Sequence, residues 1–206
     1  MNKVLKAILR KDFKSFVIKC FQECSGITPY NDNWHINVIC NAINDMMDGK
    51  NRQLILNVPP RHLKSIICSM ALPAFLLGHN SKTSIICVSY SDELSGKLAN
   101  DCRNIMQSDW YQEIFPRTKL QPSRRSINDF TTTLGGGRYA TSVGGAMTGR
   151  GAEWIIIDDP LKPNEVTSDI QREKVNEWFG TTVYSRLNDK ATGRILVIMQ
   201  RLHQND

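Results

Sequence analysis

The first apolar residues of the chain recur every three or four positions, which is the spacing of one face of a helix. Lysine and arginine side chains occupy the other faces. This pattern predicts a basic amphipathic helix within residues 1–28, packed on the domain with its lysines in solvent; docking to DNA or to a partner subunit is the alternative. The apolar positions are Leu5, Ile8, Leu9, Phe13, Phe16 and Val17.

After residue 29, helical patterns alternate with short, continuously apolar runs. Such runs predict buried strands, and their alternation with helices is typical of a mostly parallel sheet covered by helices on both faces. We therefore predict an α/β fold. Ser91 and Ser168 are expected helix N-caps, and Ser168 forms a capping box with Gln171. The predicted strands are 53–58, 84–90, 154–157 and 194–200, and the predicted helices are 34–49, 64–77, 92–107 and 168–187, with a hairpin turn at 135–137.

Composition adds few constraints. The 206 residues allow one sizeable core. The 26 basic and 20 acidic residues give a net charge of +6, which suits contact with a polyanion without requiring it.

The six cysteines form no C-x-x-C pair, so we expect buried thiols rather than disulfides or a zinc site. The N-terminus lacks the apolar core of a signal peptide, and the longest apolar stretch, 66–77, is too short to span a membrane. A cytoplasmic protein is expected.

Polar residues follow three of the predicted strands, at the points where those strands end. Because the carboxyl ends of parallel strands meet at one edge of the sheet, where ligands bind, we expect these residues to converge. The pairs are Lys64-Ser65, Asp158-Asp159 and Gln200-Arg201.

Lys64 and Ser65 lie where a strand turns into a helix, as in a P-loop. There, the free N–H groups of the helix start bind phosphates, the lysine adds positive charge and the hydroxyl binds Mg2+. Val58 and Leu63, however, occupy the two positions at which that motif has glycine. An ordinary strand-to-helix turn with a solvated lysine fits these residues about as well.

Asp158 and Asp159 follow four apolar residues, as the acids of a Walker B element do. The first acid of such a pair holds Mg2+ and the second polarises the attacking water. Taken alone, the two acids are more simply interpreted as capping the turn before Pro160. In combination with Lys64 and Ser65, they favour a site for a nucleoside triphosphate and Mg2+.

In order and spacing, five segments of the chain resemble the ATPase domain of the large terminase subunit of tailed bacteriophages and prophages. The resemblance extends from about residue 29 to residue 206, which would be the motor domain. The segments are "WHINVI", "LNVPPRHLKS", "CVSYSDELSGKLANDCRNIM", "TSVGGAMTGRGAEWIIIDDPLKP" and "NEWFGTTVYSRLNDK…VIMQRLHQND".

The resemblance implies an additional-strand P-loop ATPase that threads double-stranded DNA into a procapsid. In that fold, the strand ending at Gln200 lies between the strands that carry the Walker A and Walker B motifs. The implied partners are double-stranded DNA, the small terminase subunit, the portal protein and further copies of the chain in a homo-oligomeric ring, without a membrane. ATP and Mg2+ are the implied ligands.

The resemblance also assigns roles around the triphosphate. Lys64 would bind the β- and γ-phosphates, Ser65 and Asp158 would hold Mg2+, and Asp159 would occupy the position of the catalytic base, where many relatives have glutamate. Arg61 is suited to the γ-phosphate. The other residues of the nucleotide-binding loop are Pro60, His62 and Leu63.

Further roles lie outside the phosphate loop. Trp34 would stack on the adenine, beside His35 in the place of the usual glutamine. Gln200 and Arg201 resemble the coupling motif that reports the state of the γ-phosphate to the DNA-gripping parts. Arg150, within "TGRG", approaches a phosphate or a neighbouring subunit in one interpretation and is a solvated arginine on a tight surface turn in the other.

Two features depart from the family pattern. Leu63 replaces the glycine that precedes the P-loop lysine, and the chain ends where the family's nuclease domain would follow, so we expect no nuclease activity from it. The leading hypothesis is a DNA-translocating ATPase. The alternatives are a non-hydrolysing remnant that binds nucleotide, DNA or a partner subunit, and a helicase-like ATPase.

Overall fold

The structure, a computed structural model, describes residues 1–26 and 29–205. Its centre is a seven-stranded sheet. The strands are β1 (Gln53–Asn57), β2 (Ser84–Ser89), β3 (Leu120–Arg125), β4 (Asp129–Thr132), β5 (Gly137–Ser142), β6 (Trp154–Asp158) and β7 (Arg194–Met199).

The strand order is β1-β7-β6-β2-β5-β4-β3. The first five strands in this order are parallel; β4 pairs antiparallel with β5, and β3 pairs antiparallel with β4. This confirms the predicted mixed α/β fold with a mostly parallel sheet. It also places β7 between β1 and β6, in the order that the terminase resemblance implies.

Most predicted helices are present at nearly the predicted bounds. Ser91 caps α5 by accepting a hydrogen bond from the N–H of Leu94, and Ser168 caps α7 by accepting one from Gln171. The sequence patterns gave no indication of α6 or β3. The helices are α1 (Lys3–Lys11), α2 (Phe13–Ser25), α3 (Trp34–Met47), α4 (Leu72–His79), α5 (Asp92–Gln107), α6 (Asp109–Ile114) and α7 (Asp169–Trp178).

The prediction of a single helix within 1–28 is wrong, because the chain breaks at Asp12 into α1 and α2. Asp12 has an extended backbone; its N–H donates to the carbonyl of Ile8, and its carboxylate accepts from the N–H of Ser15. The residue thus ends one helix and caps the next. The packing on the domain was predicted correctly, since Phe13 and Phe16 are buried in the main core. Residues 27 and 28 lie outside the described part of the chain.

Helices cover both faces of the sheet, as predicted. The larger core cluster joins α1–α6 to one face, and a smaller cluster on the other face includes Trp178 of α7 and Val183. The predicted helix 168–187 therefore packs on the sheet, but it changes pitch after α7. A π-helical turn at Phe179–Val183 and a 3-10 turn at Tyr184–Arg186 follow α7.

The predicted helix 64–77 also changes pitch. A π-helical segment, Ile66–Ala71, leads without interruption into α4, and the N–H of Leu72 donates to the carbonyl of Ile67, five residues earlier. The far end of α4 meets the N-terminal helices. The ring of Phe75 lies 5.2 Å from those of both Phe13 and Phe16, and His79 Nε2 lies 2.8 Å from the carbonyl oxygen of Arg10.

All six cysteines are free; five are buried and Cys24 is exposed. The expectation of buried thiols therefore fails for Cys24. Within the ranges 1–26 and 29–205, no helix is long and apolar enough to cross a membrane.

Candidate active site

Backbone strain concentrates at the carboxyl edge of the parallel strands. In the described ranges, three non-glycine residues have a φ in the left-handed region: Arg61 (64°), Leu63 (63°) and Asp159 (48°). This conformation costs a residue with a side chain about 1–2 kcal/mol. It persists only where the surrounding structure enforces it, often at functional sites. All three residues belong to the predicted phosphate loop or the predicted Walker B pair.

Leu63 has the backbone conformation that a glycine would adopt without cost. Its side chain is half-buried and packs against the larger core cluster. The loop therefore keeps a curl that favours glycine, and the core accommodates the bulk of the leucine. The carbonyl of Leu63 accepts a hydrogen bond of 2.9 Å from the N–H of Ile67, which joins the loop to the following helix.

Lys64 and Asp159 form an ion pair across the strand ends. Lys64 Nζ lies 2.6 Å from Asp159 Oδ1, and the two side chains are only 8% and 19% exposed. The backbone of Asp159 is fixed from both sides, because its N–H donates to Ile198 and its carbonyl accepts from Tyr90. The loop after β1 and the loop after β6 thus meet, as predicted.

Asp158 is buried, at 1% exposure, and its Oδ2 accepts a hydrogen bond of 2.7 Å from Ser69 Oγ. Burial raises the pKa of the Asp158 carboxyl to about 6; the hydroxyls of Ser69 and Ser65 oppose that rise, and the charge of Asp159 adds to it. The other oxygen, Oδ1, is buried without a hydrogen bond of good geometry to the described residues, although Ser65 is near enough to affect the pKa.

A cleft of about 410 Å³ lies between the start of α3 and the loop after β1. Trp34 lines it and is 74% exposed, so its indole has a free face. His35 Nε2 is buried and lacks a hydrogen-bond partner in the described chain, and the His35 ring lies 5.2 Å from that of His62. His62 Nδ1 lies 2.9 Å from the carbonyl oxygen of Pro60. The structure thus brings the predicted adenine-binding residues next to the predicted phosphate loop.

Gln200 and Arg201 follow β7, between the strands that lead to the phosphate loop and to Asp158. Gln200 is half-buried. Arg201 is exposed and donates hydrogen bonds to the carbonyls of His203, at 3.4 Å, and Gln204, at 2.8 Å. Strand β7 thus ends within one residue of the predicted strand end. The guanidinium of Arg201 contacts the residues that follow it in the chain.

Arg150 is held on β4 and β5. Its Nη2 lies 2.8 Å from Asp129 Oδ2, and its guanidinium stacks 3.8 Å from the centroid of the Tyr139 ring. The arginine lies beside an exposed turn at Gly149, as one interpretation from the sequence has it, but its guanidinium is paired and stacked rather than solvated. Its approach to a phosphate or a neighbouring subunit stays a prediction.

Two residues that contact the site were missed in the sequence. Ser69 is four residues after Ser65, and this spacing, which places two side chains on one face of a predicted helix, is the signal that could have identified it. Arg138 is 1% exposed within β5, and its Nη2 donates to the carbonyl of Ser69 at 3.4 Å. Its role depends on a neighbour far along the chain, so no local pattern indicated it.

Comparison with solved structures identifies a protein with a similar arrangement of elements. The large terminase of bacteriophage HK97 matches with a TM-score of 0.53 and 15% sequence identity, over 91% of this chain and 37% of that chain. The chain has a terminase-like fold. Identity this low shows the fold alone, and the chain spans only 37% of the length of that terminase. No protein-family model and no curated protein matches the sequence.

The strand ends of this terminase-like fold fit Mg-ATP in two respects. Asp158 Oδ1 is a buried carboxylate oxygen next to the Ser65 hydroxyl, which suits a hard cation that prefers oxygen ligands. His35 Nε2 is a buried polar atom without a partner among the described residues, beside an exposed indole, which suits a flat base with polar edges. A buried polar group without a partner is costly, so a ligand that pairs with these atoms would gain from the contact.

Proposed function

We propose that this chain is the ATP-hydrolysing motor domain of a terminase large subunit, which drives double-stranded DNA into a procapsid. One observation carries the proposal. A lysine and two carboxylates from distant parts of the chain, Lys64, Asp158 and Asp159, converge at the carboxyl edge of a parallel sheet with a terminase-like fold. That edge is the ligand site of open α/β sheets.

In this proposal, Ser65 and Asp158 hold Mg2+, and Lys64 binds the β- and γ-phosphates. Magnesium, when bound with the nucleotide, neutralises charge that develops on the phosphate oxygens. Asp159 accepts a proton from the water whose oxygen bonds to the γ-phosphorus, while the bond from that phosphorus to ADP breaks. Arg61 in the loop is exposed and available to the γ-phosphate.

The adenine would stack on Trp34 in the cleft beside the phosphate loop. His35 would face the polar edge of the base, and Pro60, His62 and Leu63 would shape the connection to the phosphates. Gln200, at the end of the strand between the two motifs, would sense the γ-phosphate and pass its state to Arg201. In this proposal, every polar residue that the sequence predicted at the carboxyl edge of the sheet has a role.

The partners of the motor are also proposals. A terminase motor acts on duplex DNA in the bacterial cytoplasm, as a ring of copies with the small terminase subunit and the portal protein. The net charge of +6 supports contact with the DNA backbone.

A second candidate function is a non-hydrolysing protein that binds nucleotide, DNA or a partner subunit. The Lys64–Asp159 ion pair favours it, because that contact occupies both the phosphate-binding lysine and the proposed base.

Steady-state ATP hydrolysis, with and without duplex DNA, tests the proposal. We expect turnover that requires Mg2+ and falls to background in Lys64→Ala. Lys82→Ala is the matched control, because Lys82 is exposed and its side chain makes none of the site contacts described above. Nucleotide binding without hydrolysis by the unmodified protein would support the second candidate. The absence of both would rule out the site.

A further inference from the structure

Ser69 holds one oxygen of the buried carboxylate and leaves the other free. Its Oγ donates to Asp158 Oδ2 at 2.7 Å, and both residues are 1% exposed. Asp158 Oδ1 has no donor of good geometry among the described residues. A carboxylate bound in this way cannot rotate without losing a buried hydrogen bond to a charged group, so the free oxygen has a fixed position.

Pro73 is the residue that would donate to the carbonyl of Ser69 in an α-helical register, and it has no N–H. It lies at the start of α4, four residues after Ser69. The π-helical segment Ile66–Ala71, which contains Ser69, ends next to this proline. Distortions of the helix commonly occur where a proline interrupts the hydrogen-bond ladder.

Arg138 supplies such a donor from the neighbouring strand β5. Its Nη2 lies 3.4 Å from the carbonyl oxygen of Ser69, and its Nε and Nη1 are buried without partners in the ranges described. Burial raises the pKa of the Cys87 thiol, and the guanidinium of Arg138 beside it opposes that rise. A guanidinium buried without a carboxylate partner is costly. The contacts of this guanidinium are therefore with the Cys87 thiol and with the carbonyl of Ser69.

We propose that Ser69 is a positioning residue for the metal-binding carboxylate, and that Arg138 fixes Ser69 in place of the N–H that Pro73 lacks. The inference rests on the proposed function, because Asp158 is a metal ligand only there. Partners of this kind orient the residues that touch the metal, and their loss typically lowers metal affinity by about 10- to 100-fold.

Titration of Mn2+ in the presence of a non-hydrolysable ATP analogue, followed by the electron paramagnetic resonance signal of free Mn2+, tests the role of Ser69. We expect Ser69→Ala to weaken Mn2+ binding about tenfold and to leave metal-free binding of the analogue unchanged. Ser81→Ala is the matched control, because Ser81 is also buried and its Oγ donates to the carbonyl of Leu77, within the helix end rather than to the carboxylate. It should keep the Mn2+ affinity of the parent.

Parent-like Mn2+ affinity in Ser69→Ala, or an equal loss in Ser81→Ala, would overturn the role of Ser69 while leaving the proposed function intact. Failure of the unmodified protein to bind Mn2+ with the analogue would instead overturn the proposed function, and this inference with it. The two failures are therefore distinct.

A second pair of variants tests Arg138. Arg138→Met should weaken Mn2+ binding in the same direction as Ser69→Ala. Pro73→Ala, added to Arg138→Met, restores a backbone donor for the carbonyl of Ser69, so the double variant should recover Mn2+ affinity. Folding of each variant is checked by its circular dichroism spectrum. Unchanged affinity in a folded Arg138→Met, or no recovery in the double variant, would remove Arg138 from the arrangement.

Discussion

Lys64 Nζ and Asp159 Oδ1 are 2.6 Å apart at the edge of the sheet, and each is the main counter-charge of the other. The proposed phosphate-binding group and the proposed base therefore neutralise one another in the nucleotide-free chain. Under the proposed function, a triphosphate that binds Lys64 would replace this carboxylate, which would then be free to accept a proton. Nucleotide binding and activation of the base would thus be linked through one contact.

Asp159→Asn should separate the two roles. Because the lysine loses its anionic partner, we expect ATP to bind more tightly than to the parent. Turnover should fall about a hundredfold or more, the usual scale for loss of a general base. Binding of a fluorescent ATP analogue and steady-state hydrolysis measure the two effects. Asp129→Asn, which removes the partner of Arg150, is the matched control.

Equal turnover in Asp159→Asn and the parent would place the base elsewhere. Glu165 is then the next residue to test. It lies in the segment after Asp159, and its only described ion pair is a long one of 3.7 Å to Lys162.

Leu63 allows a test of the strained loop that is independent of activity. In most settings alanine is more stable than glycine, but at a φ of 63° the order should reverse. Both variants lose the packing of the leucine on the core, and only glycine relieves the left-handed strain. We expect Leu63→Gly to be more stable than Leu63→Ala by about 1 kcal/mol in urea unfolding. The opposite order would show that the loop does not hold this conformation in solution.

This geometry changes the expectation for ATP affinity. The side chain of Leu63 packs on the core, so glycine at this position removes no obstruction from the phosphate site. Leu63→Gly should bind the ATP analogue within about threefold of the parent, since a substitution away from the contacts of a site changes its free energy by only about 0.5 kcal/mol. A large gain in affinity would mean that the leucine side chain faces the nucleotide.

Asp158 should make the folded chain less stable as the pH rises. Its pKa is raised by burial to about 6, above the value of about 3.9 in an unfolded chain. The folded state thus binds the proton more tightly, so its stability is greatest below pH 4 for this group and falls between about pH 4 and pH 6. We expect Asp158→Asn to raise stability by about 3 kcal/mol at pH 7.5 and to have little effect at pH 4.

Urea unfolding at the two pH values measures this difference, with Asp48→Asn, an exposed aspartate, as control. The same variant should lose Mn2+ binding. The proposed metal ligand would then be retained at a cost in stability, as functional residues often are. A stability loss at pH 7.5 would contradict the assignment of burial as the main cause of the pKa shift.

Binding to DNA should depend on the phosphate backbone, because a translocating motor has to pass any sequence. Affinity for a duplex should fall at least tenfold, roughly, between 50 and 200 mM salt as counterions are released. Two duplexes of unrelated sequence should bind equally. Fluorescence anisotropy measures both effects. Salt-independent binding, or a preference for one duplex, would argue against this chain as the translocating part.

The fold was predictable where each element had a strong local pattern. The strands β2, β6 and β7 carry the apolar runs that parallel strands buried on both faces require. The apolar run of β1 also predicted a buried strand, but β1 lies at the edge of the sheet and its Ile55 is 66% exposed. By contrast, β3 contains Pro122, which an edge strand tolerates and which suppresses the strand pattern. The break at Asp12 was hidden because apolar residues keep helical spacing on both sides of it.

The sequence predicted which residues of the site lie together at the strand ends, but it did not predict the contacts between their side chains. Lys64, Ser65, Asp158 and Asp159 could be grouped because parallel strands end at one edge. The ion pair between Lys64 and Asp159, and the buried contact of Arg138, depend on side-chain positions in space. The periodicity of apolar residues along the chain does not indicate where those side chains lie relative to one another.

The helix that starts at the phosphate loop also ends against the N-terminal helices, where Phe75 contacts Phe13 and Phe16, and His79 contacts Arg10. From Ile66 to His79 the helix is continuous and spans roughly 20 Å at 1.5 Å per residue. Under the proposed function, a shift of Lys64 and Ser65 on phosphate release would be carried along this helix to α1 and α2 at the opposite surface, far from the nucleotide.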